Sequence, residues 1–451
     1  MTRARTQKNP ANAKPACAWD LTRTLAVRAL HELLPPAAVA IAAEPLGEFA
    51  PVTCDPEWAR VQAVAAARDP ANPKAHLLEA IGDAHEAADD AARTQLAFCQ
   101  TPGFVAEYLL DHVLLAYDNA HFGPYNVGAD NPNPNTDGED DDEGRSGDCD
   151  QYIRLLDPSC GSGHLLVRAV RRIVHILTRT PTHPCPLPGA PPTNVSVLVR
   201  ACNSVTGYEL NPQVAALARA RAAAELLACP APTNHFAARE YAAALERILE
   251  DDGTGAVQVR DSLLFTGAED DRFEMIVGNP PYITPKDAQQ REQIRKAYAS
   301  AHGRYGLHGP FIEAALTRWI RPRGFISLIV SNNFMKREWG KPLIEQVIAK
   351  ADPRIVVDTS GAFIPGHGTP TVILGFRGPT FAPFRGPRKR GWANSKRGDR
   401  PVEPLASTKV CAIQGKRGEP HTPADPAQGR VWQAIRATRA RTLAAMSRST
   451  T

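Results

Sequence analysis

The sequence lacks the features that mark several classes of protein. Its nine cysteines include no Cys-x-x-Cys pair, and their odd number argues against a complete disulfide framework. Its 13 histidines form no pair at His-x-x-x-His spacing, so we expect no catalytic metal. No run approaches the ~18 apolar residues of a membrane span, and the polar stretch from Met1 to Cys17 has no apolar segment of a secretory signal. These absences predict a protein of the reducing cytoplasm that uses neither a membrane nor a metal.

A strong charge bias is also absent, because the formal net charge is only +4. Basic residues crowd between Arg385 and Arg397, in a Pro/Gly-rich piece that phosphate contact and simple solubility explain equally well. The 43% of hydrophobic residues suffices for one sizeable core with appendages.

Composition divides the chain into three parts. Residues 1–95 alternate helical patterns with proline-bearing breaks and predict a small helical N-terminal region. Residues 96–378 carry the apolar runs of an α/β core, interrupted by an acidic loop at 130–150 and a proline-rich loop at 180–193. Residues 379–451 are basic and rich in proline and glycine.

The first chemical motif is a glycine loop that follows a predicted strand over 152–156. Gly161 and Gly163 allow a sharp turn and a close approach to a ligand, and the helix that follows offers unpaired N–H groups. The dinucleotide fingerprint needs a third glycine where this chain has Leu166. Asp157, just before the loop, suits a ligand with a positive amino-acid portion better than a pyrophosphate.

Two further apolar runs also end in carboxylates. The run 206–210 presents Glu209, which fits the two hydroxyls of a ribose, although taken alone it also fits a helix cap or a solvated charge. The run 257–261 ends in Asp261. A fourth run, 273–278, delivers the tetrapeptide Asn279-Pro280-Pro281-Tyr282, whose prolines form a stiff loop with outward-facing carbonyls.

The order of these four tips predicts the fold class. Successive strands that each end in a polar loop indicate an α/β, doubly wound sheet that binds ligands at its carboxyl edge. By itself the tetrapeptide is equally consistent with an ordinary surface tyrosine, but the four tips together favour an active site.

With these tips on one edge, the chain resembles the class I S-adenosylmethionine-dependent methyltransferases. Its Asn-Pro-Pro-Tyr loop resembles that of the adenine-N6 DNA methyltransferases. The resemblance implies a seven-stranded Rossmann-like sheet, S-adenosylmethionine as cofactor, and DNA with a flipped-out adenine as partner. It also implies site-specific methylation of adenine N6, as in restriction-modification and phage defence.

The resemblance implies a role for each matching position. Cofactor binding falls to Thr101, Asp157, Ser159, Gly161, Gly163, Glu209 and Asp261. Within that set, Glu209 matches the ribose ligand and Asp261 the acceptor for the cofactor's adenine amine. The catalytic candidates are Asn279, Pro280, Pro281 and Tyr282.

These catalytic candidates suit the chemistry of an adenine amine, which is a poor nucleophile because its lone pair is delocalised into the ring. The Asn279 side-chain oxygen and the Pro280 carbonyl would accept the amine hydrogens, and Tyr282 would stack on the base. Phe363 is the candidate for a second contact with the base, whereas Phe334 fits the pocket and the core equally well.

A closer resemblance is to the methyltransferases of phage-growth-limitation systems, the type 2 BREX defence class. It rests on Gly82-Asp83, Gln100-Thr101-Pro102, the loop 364–370 and the segment 417–433. Members of that class are far longer, so the resemblance implies a C-terminally truncated chain that lacks target recognition. It also implies possible partners among other defence-system subunits.

Other functions remain open on the sequence alone. A protein-glutamine or RNA methyltransferase also acts on a planar amine and can use the same loop. A remnant or subunit that binds cofactor or DNA without methylating is a further alternative. An NAD-dependent oxidoreductase is disfavoured by the incomplete glycine fingerprint.

Overall fold

The structure is a computed structural model. It describes residues 18–49, 51–52, 54–68, 70–88, 101, 103–122, 153–178, 195–228, 235–251, 253–265, 272–359, 370–378, 409–413 and 432–436. The predicted loops 130–150 and 180–193 and the base-contact candidate Phe363 lie outside these residues.

One mixed sheet organises the described chain. Its strands are β1 Leu155–Asp157, β2 Val205–Glu209, β3 Val257–Val259, β4 Phe273–Gly278, β5 Ile320–Ser331, β6 Asp352–Asp358, β7 Thr371–Arg377, β8 Lys409–Ile413 and β9 Trp432–Arg436. They are ordered β3-β2-β1-β4-β5-β7-β6-β8-β9. Strands β1 to β5 are mutually parallel, and β7 lies antiparallel between β5 and β6.

The strand order places the site. Chain order reverses between β1 and β4, so the loops after these two strands diverge and leave a crevice at the carboxyl edge. The predicted doubly wound, seven-stranded sheet is confirmed by β1 to β7. Strands β8 and β9 extend this sheet beyond the prediction, and they come from the part of the chain predicted only as a basic segment.

Helices cover both faces of the sheet. They are α1 Ala18–Leu33, α2 Pro36–Ala43, α3 Asp55–Arg68, α4 Leu77–Ala88, α5 Gly103–Phe122, α6 His164–Thr178, α7 Val195–Asn203, α8 Pro212–Leu227, α9 His235–Leu249, α10 Ala288–Ala297, α11 His308–Ala314 and α12 Gly340–Pro342. None of the helices in the described ranges is long and apolar enough to cross a membrane.

The predicted N-terminal helices share a hydrophobic core with the sheet. Leu30 of α1 and Ile81 of α4 are fully buried in the same hydrophobic core as Leu155 of β1. The opposite face has a second core, which includes Ile276 of β4 and Ile312 of α11. Helices α1 to α4 therefore belong to the core on one face of the sheet, where α1 and α2 pack on α8.

The ends of α5 and β5 are defined by the structure. Helix α5 runs from Gly103 to Phe122. Strand β5 ends at Ser331, because the Ser331 hydroxyl accepts the N–H of Asn333 and caps a short 3₁₀ turn at Asn332–Met335. The aromatic at the end of this segment, Phe334, is fully buried, so it belongs to the core.

Candidate active site

A cavity of about 410 Å³ opens at the carboxyl ends of β1 to β4. This volume lies within the range of small-molecule and cofactor pockets. Among the residues that line it are the predicted Thr101, Asp157, Ser159, Gly161, Glu209, Asp261, Asn279 and Pro281. Residues that are more than a hundred positions apart in sequence thus meet in one crevice.

The glycine loop after β1 needs both of its glycines. Gly161 has φ +54° and Gly163 has φ +77°, a region that side chains rarely adopt. A Cβ on Gly163 would also lie 3.1 Å from the Cβ of Ala218, so α8 can pack closely only against a glycine here. Gly163 therefore shapes the loop from behind, and Gly161 lines the cavity.

Glu209 joins the glycine loop to the end of β2. Its Oε2 accepts the N–H of Gly161 at 3.0 Å, and its Oε1 accepts the N–H of Asn211 at 2.8 Å. Burial raises the pKa of Glu209, and these backbone donors oppose that rise. Each carboxylate oxygen keeps a further lone pair that a ligand hydroxyl can use.

Asp157 is the most buried charge-bearing residue of the cavity, with 1% of its surface exposed. Its Oδ1 accepts the N–H of Ser159 at 3.1 Å. Burial raises the pKa of Asp157 to about 8, the Ser159 N–H opposes the rise, and the nearby charge of Glu209 adds to it. A cation in the cavity would relieve the cost of ionising this carboxyl.

Asp261 follows β3 and is held by three donors. Its Oδ1 accepts the backbone N–H groups of Leu263 at 3.0 Å and Leu264 at 3.2 Å. Its Oδ2 accepts Nε2 of Gln290, from α10, at 3.1 Å. Gln290 also lines the cavity, although the sequence reasoning did not single it out.

Asn279 lies at the end of β4, and its side-chain amide is held at both ends. Its Nδ2 donates to Oγ1 of Thr101 at 3.2 Å, and its Oδ1 accepts the hydroxyl of Tyr282 at 2.6 Å. Thr101 is 5% exposed. These two hydrogen bonds orient the amide of Asn279, which lines the cavity together with Thr101.

Tyr282 belongs to an aromatic cluster behind the loop. The edge of its ring meets His308, with the ring centroids 5.9 Å apart and the planes at 84°. His308 also packs edgewise on Phe334 at 6.3 Å and on Trp339 at 5.3 Å. Burial lowers the pKa of His308 to about 3, so the imidazole is neutral. The cluster fixes the tetrapeptide loop from the side of α11.

The sequence reasoning missed Gln290 and His308 for the same physical reason. Both lie on helices whose sequence pattern does not indicate a functional site, and only tertiary packing brings them close to the ends of the strands. One local signal existed, because Asp287 caps α10 by accepting the N–H of Gln290 at 2.6 Å. That cap predicts where α10 begins, and hence which side chains its first turn carries towards the sheet edge.

The cavity combines acidic side chains at the ends of three strands with the neutral amide of Asn279 at the end of β4. Burial lowers the pKa of His164, which lines the cavity, to about 4, so this side chain is neutral as well. The described residues contain no group of three or more metal-ligating side chains that could hold an ion. The arrangement suits an organic cation beside a planar hydrogen-bonding group.

Comparisons with known proteins agree with this chemistry. Residues 203–363 match the Eco57I restriction-modification methylase family. The adenine-specific methyltransferase PglX of Streptomyces coelicolor is 29% identical over 388 residues, which are 79% of this chain and 27% of PglX. The type II methyltransferase M.BstVI of Geobacillus stearothermophilus is 26% identical over 213 residues, 46% of this chain and 34% of that enzyme.

Among solved structures, the cryo-EM structure of the DrdV–DNA complex aligns with 98% of this chain. The alignment covers 39% of the DrdV chain, with 13% identity and a TM-score of 0.48. The chain spans 27% and 34% of the lengths of the two curated relatives. The resemblance to adenine-N6 DNA methyltransferases, including the methyltransferase of phage-growth limitation, is confirmed by the family match and by both of these relatives.

Proposed function

We propose that the chain is the catalytic part of a site-specific DNA methyltransferase that moves a methyl group from S-adenosylmethionine to N6 of adenine. The observation that carries this proposal is the position of the Asn279 amide, at the end of β4 beside the crevice where the chain order reverses. Thr101 and Tyr282 orient this amide, and Asn279 lines a cavity with three acidic strand tips. The family match and both curated relatives support the same reaction.

The carboxylates of the cavity match the groups of the proposed cofactor. Asp157, Glu209 and Asp261 stand at successive strand ends and complement an ammonium or sulfonium, a ribose and an adenine amine respectively. Thr101, Ser159, Gly161 and Gly163 complete the proposed cofactor site. When bound, S-adenosylmethionine supplies an electrophilic methyl group on a sulfonium.

The tetrapeptide loop prepares the nucleophile. In this proposal the Asn279 side-chain oxygen accepts one hydrogen of the adenine amine, and the Pro280 carbonyl accepts the other. These two acceptors localise the nitrogen lone pair towards the methyl group, so no strong base is needed before attack. Pro281 keeps the loop rigid, because its φ is fixed and it has no N–H to donate. Alignment of amine and methyl supplies up to ~7 to 11 kcal/mol of the acceleration.

The target adenine must leave the duplex to reach this loop. Flipping costs a few kcal/mol, and stacking on an aromatic ring returns about 1 to 3 kcal/mol per base. Tyr282 supplies this ring, and we assign Phe363 as a second contact. DNA is therefore the proposed partner, and a role in phage defence beside other subunits follows from the similarity to PglX.

The test combines binding and transfer in one sample. Calorimetric titration of the purified chain with S-adenosylmethionine is followed by transfer of a tritiated methyl group to unmethylated DNA. We expect binding with transfer, and weaker binding in Glu209→Ala. Binding without transfer would favour a chain that holds the cofactor but cannot methylate by itself, and no binding would contradict the proposal.

A further inference from the structure

Gln290 and Asp261 are hydrogen-bonded to each other at one wall of the cavity. The backbone N–H groups of Leu263 and Leu264 occupy Oδ1 of Asp261, so Oδ2 is the oxygen left for a ligand. The Gln290 amide donates to that same Oδ2 at 3.1 Å. Any donor that binds Oδ2 must therefore lie beside the Gln290 amide.

We propose that Gln290 is a specificity residue for the cofactor and reads the exocyclic amine of its adenine together with Asp261. The inference rests on the proposed function. A primary amine on a purine carries two N–H groups, and one acceptor satisfies only one of them. The Gln290 amide oxygen is a second acceptor next to Asp261 Oδ2, while the amide N–H holds the carboxylate in place.

This pair discriminates adenine from hypoxanthine. Hypoxanthine presents a carbonyl oxygen where adenine has the amine, so it would face Asp261 Oδ2 and the Gln290 oxygen with no hydrogen to donate. Buried polar groups left unpaired in this way are costly, and a site built around a hydrogen-bonded group rejects analogues that lack it.

Gln290 lies on the first turn of α10, where its side chain can be replaced without loss of the helix cap. The helix cap uses the backbone N–H of Gln290 and the carboxylate of Asp287, and a change of side chain leaves both in place. Gln289 precedes it on the same turn and is exposed, so Gln289→Ala is the matched control.

The experiment measures affinity without turnover. The wild-type chain, Gln290→Ala, Gln290→Leu and Gln289→Ala are each titrated calorimetrically with S-adenosylhomocysteine and with its hypoxanthine analogue. We expect the wild-type chain and Gln289→Ala to prefer the adenine ligand strongly. In both Gln290 variants the affinity for S-adenosylhomocysteine should fall about tenfold, the equivalent of one hydrogen bond, with a smaller loss for the analogue.

Two results would overturn the assignment while leaving the proposed function intact. One is unchanged affinity of the Gln290 variants for both ligands. The other is an equal loss for both ligands, which would mean that Gln290 supports the shape of the pocket without reading the amine. Failure of the wild-type chain to bind either ligand would instead overturn the proposed function, and this assignment with it.

Discussion

At the scale of single residues, the cavity shifts the protonation of Asp157 into the neutral range. Burial raises the pKa of Asp157 to about 8, so without a positive ligand the carboxyl is mainly protonated at neutral pH. A positive ligand group next to it favours the carboxylate. Binding of the cofactor and loss of this proton are therefore linked.

We predict that S-adenosylmethionine binding releases a proton near neutral pH, and that affinity increases as the pH rises towards about 8 and then levels off. Calorimetric titration in two buffers with different ionisation enthalpies measures the number of protons released. Asp157→Asn should bind more weakly and release fewer protons. Equal proton counts in the wild-type chain and Asp157→Asn would contradict the linkage.

Asn279 carries the second prediction at this scale. Asn279→Ala should lower the rate of methyl transfer by about 10² or more, because the amine loses an acceptor that acts in the transition state. Its dissociation constant for S-adenosylmethionine should stay within about threefold, since the acidic tips remain. Steady-state kinetics and calorimetry separate the two effects.

Tyr282→Phe is the graded comparison for this prediction. It removes the hydroxyl that donates to Asn279 Oδ1 but keeps the ring, so its transfer rate should fall between those of the wild-type chain and Asn279→Ala. Parallel loss of binding and transfer in Asn279→Ala would show that Asn279 serves folding and not chemistry.

At the scale of elements, the buried carboxylate of Glu79 links the N-terminal helix α4 to the helix that follows the glycine loop. Glu79 of α4 accepts from Nη2 of Arg168 at 2.7 Å and from Nδ1 of His164 at 3.0 Å, both on the helix that follows the glycine loop. His76 donates to the other oxygen at 2.8 Å. Burial alone would raise the pKa of Glu79, but these hydrogen bonds and the Arg168 charge hold it well below its usual range.

We expect Glu79→Gln to destabilise the fold by about 3 to 5 kcal/mol, because it removes the charge of a buried carboxylate, 6% exposed at its side chain, from its pair with Arg168. Glu107→Gln is the matched control, since Glu107 pairs with the same Arg168 but is 38% exposed at its side chain. The control should cost about 1 kcal/mol or less. Urea denaturation of both variants measures the difference, and equal losses would contradict this account of α4.

The elements of the sheet were largely readable from the sequence, whereas the role of α4 was not. Apolar runs that end in Asp157, Glu209 and Asn279 locate β1, β2 and β4, because a buried parallel strand must be apolar and must end where the polar loop begins. Contacts such as Glu79 with Arg168 link residues 89 positions apart. No local periodicity encodes such a contact.

Site residues divide in the same way. Residues at strand tips are fixed by topology once the strand order is known, so Glu209, Asp261 and Asn279 could be placed in one pocket from sequence. Thr101, which precedes α5, was placed there only by the family resemblance. Gln290 depends on how α10 packs, and a side-chain amide in a polar helix gives no separate signal. The predicted contact of Phe363 with the base stays a prediction.

At the scale of the whole molecule, three histidines with lowered pKa values weaken the fold in acid. Burial lowers the pKa of His112 to about 4, that of His164 to about 4 and that of His308 to about 3. The usual value is ~6.5. Between these limits the unfolded chain binds protons that the folded histidines do not, so the contribution of the histidines to stability falls as the pH drops below about 6.5. The raised pKa of Asp157 acts in the opposite direction over the same range.

His308→Phe should remove one of these protons and raise stability under acidic conditions. Neither ring nitrogen of His308 has a hydrogen-bond partner within the described residues, and its neighbours are aromatic. The gain should grow by about 1.4 kcal/mol for each pH unit below ~6.5. Urea denaturation near pH 8 gives the packing contribution alone, and a gain that does not change with pH would contradict the assignment.

The measurement that tests the central claim most directly is the identity of the methylated product. Unmethylated DNA is incubated with the chain and S-adenosylmethionine carrying a labelled methyl group, then digested to nucleosides and analysed by mass spectrometry. We predict label in N6-methyldeoxyadenosine with the wild-type chain and about a hundredfold less, or lower still, with Asn279→Ala. Label in a cytosine derivative, or in adenine at equal levels with Asn279→Ala, would contradict it.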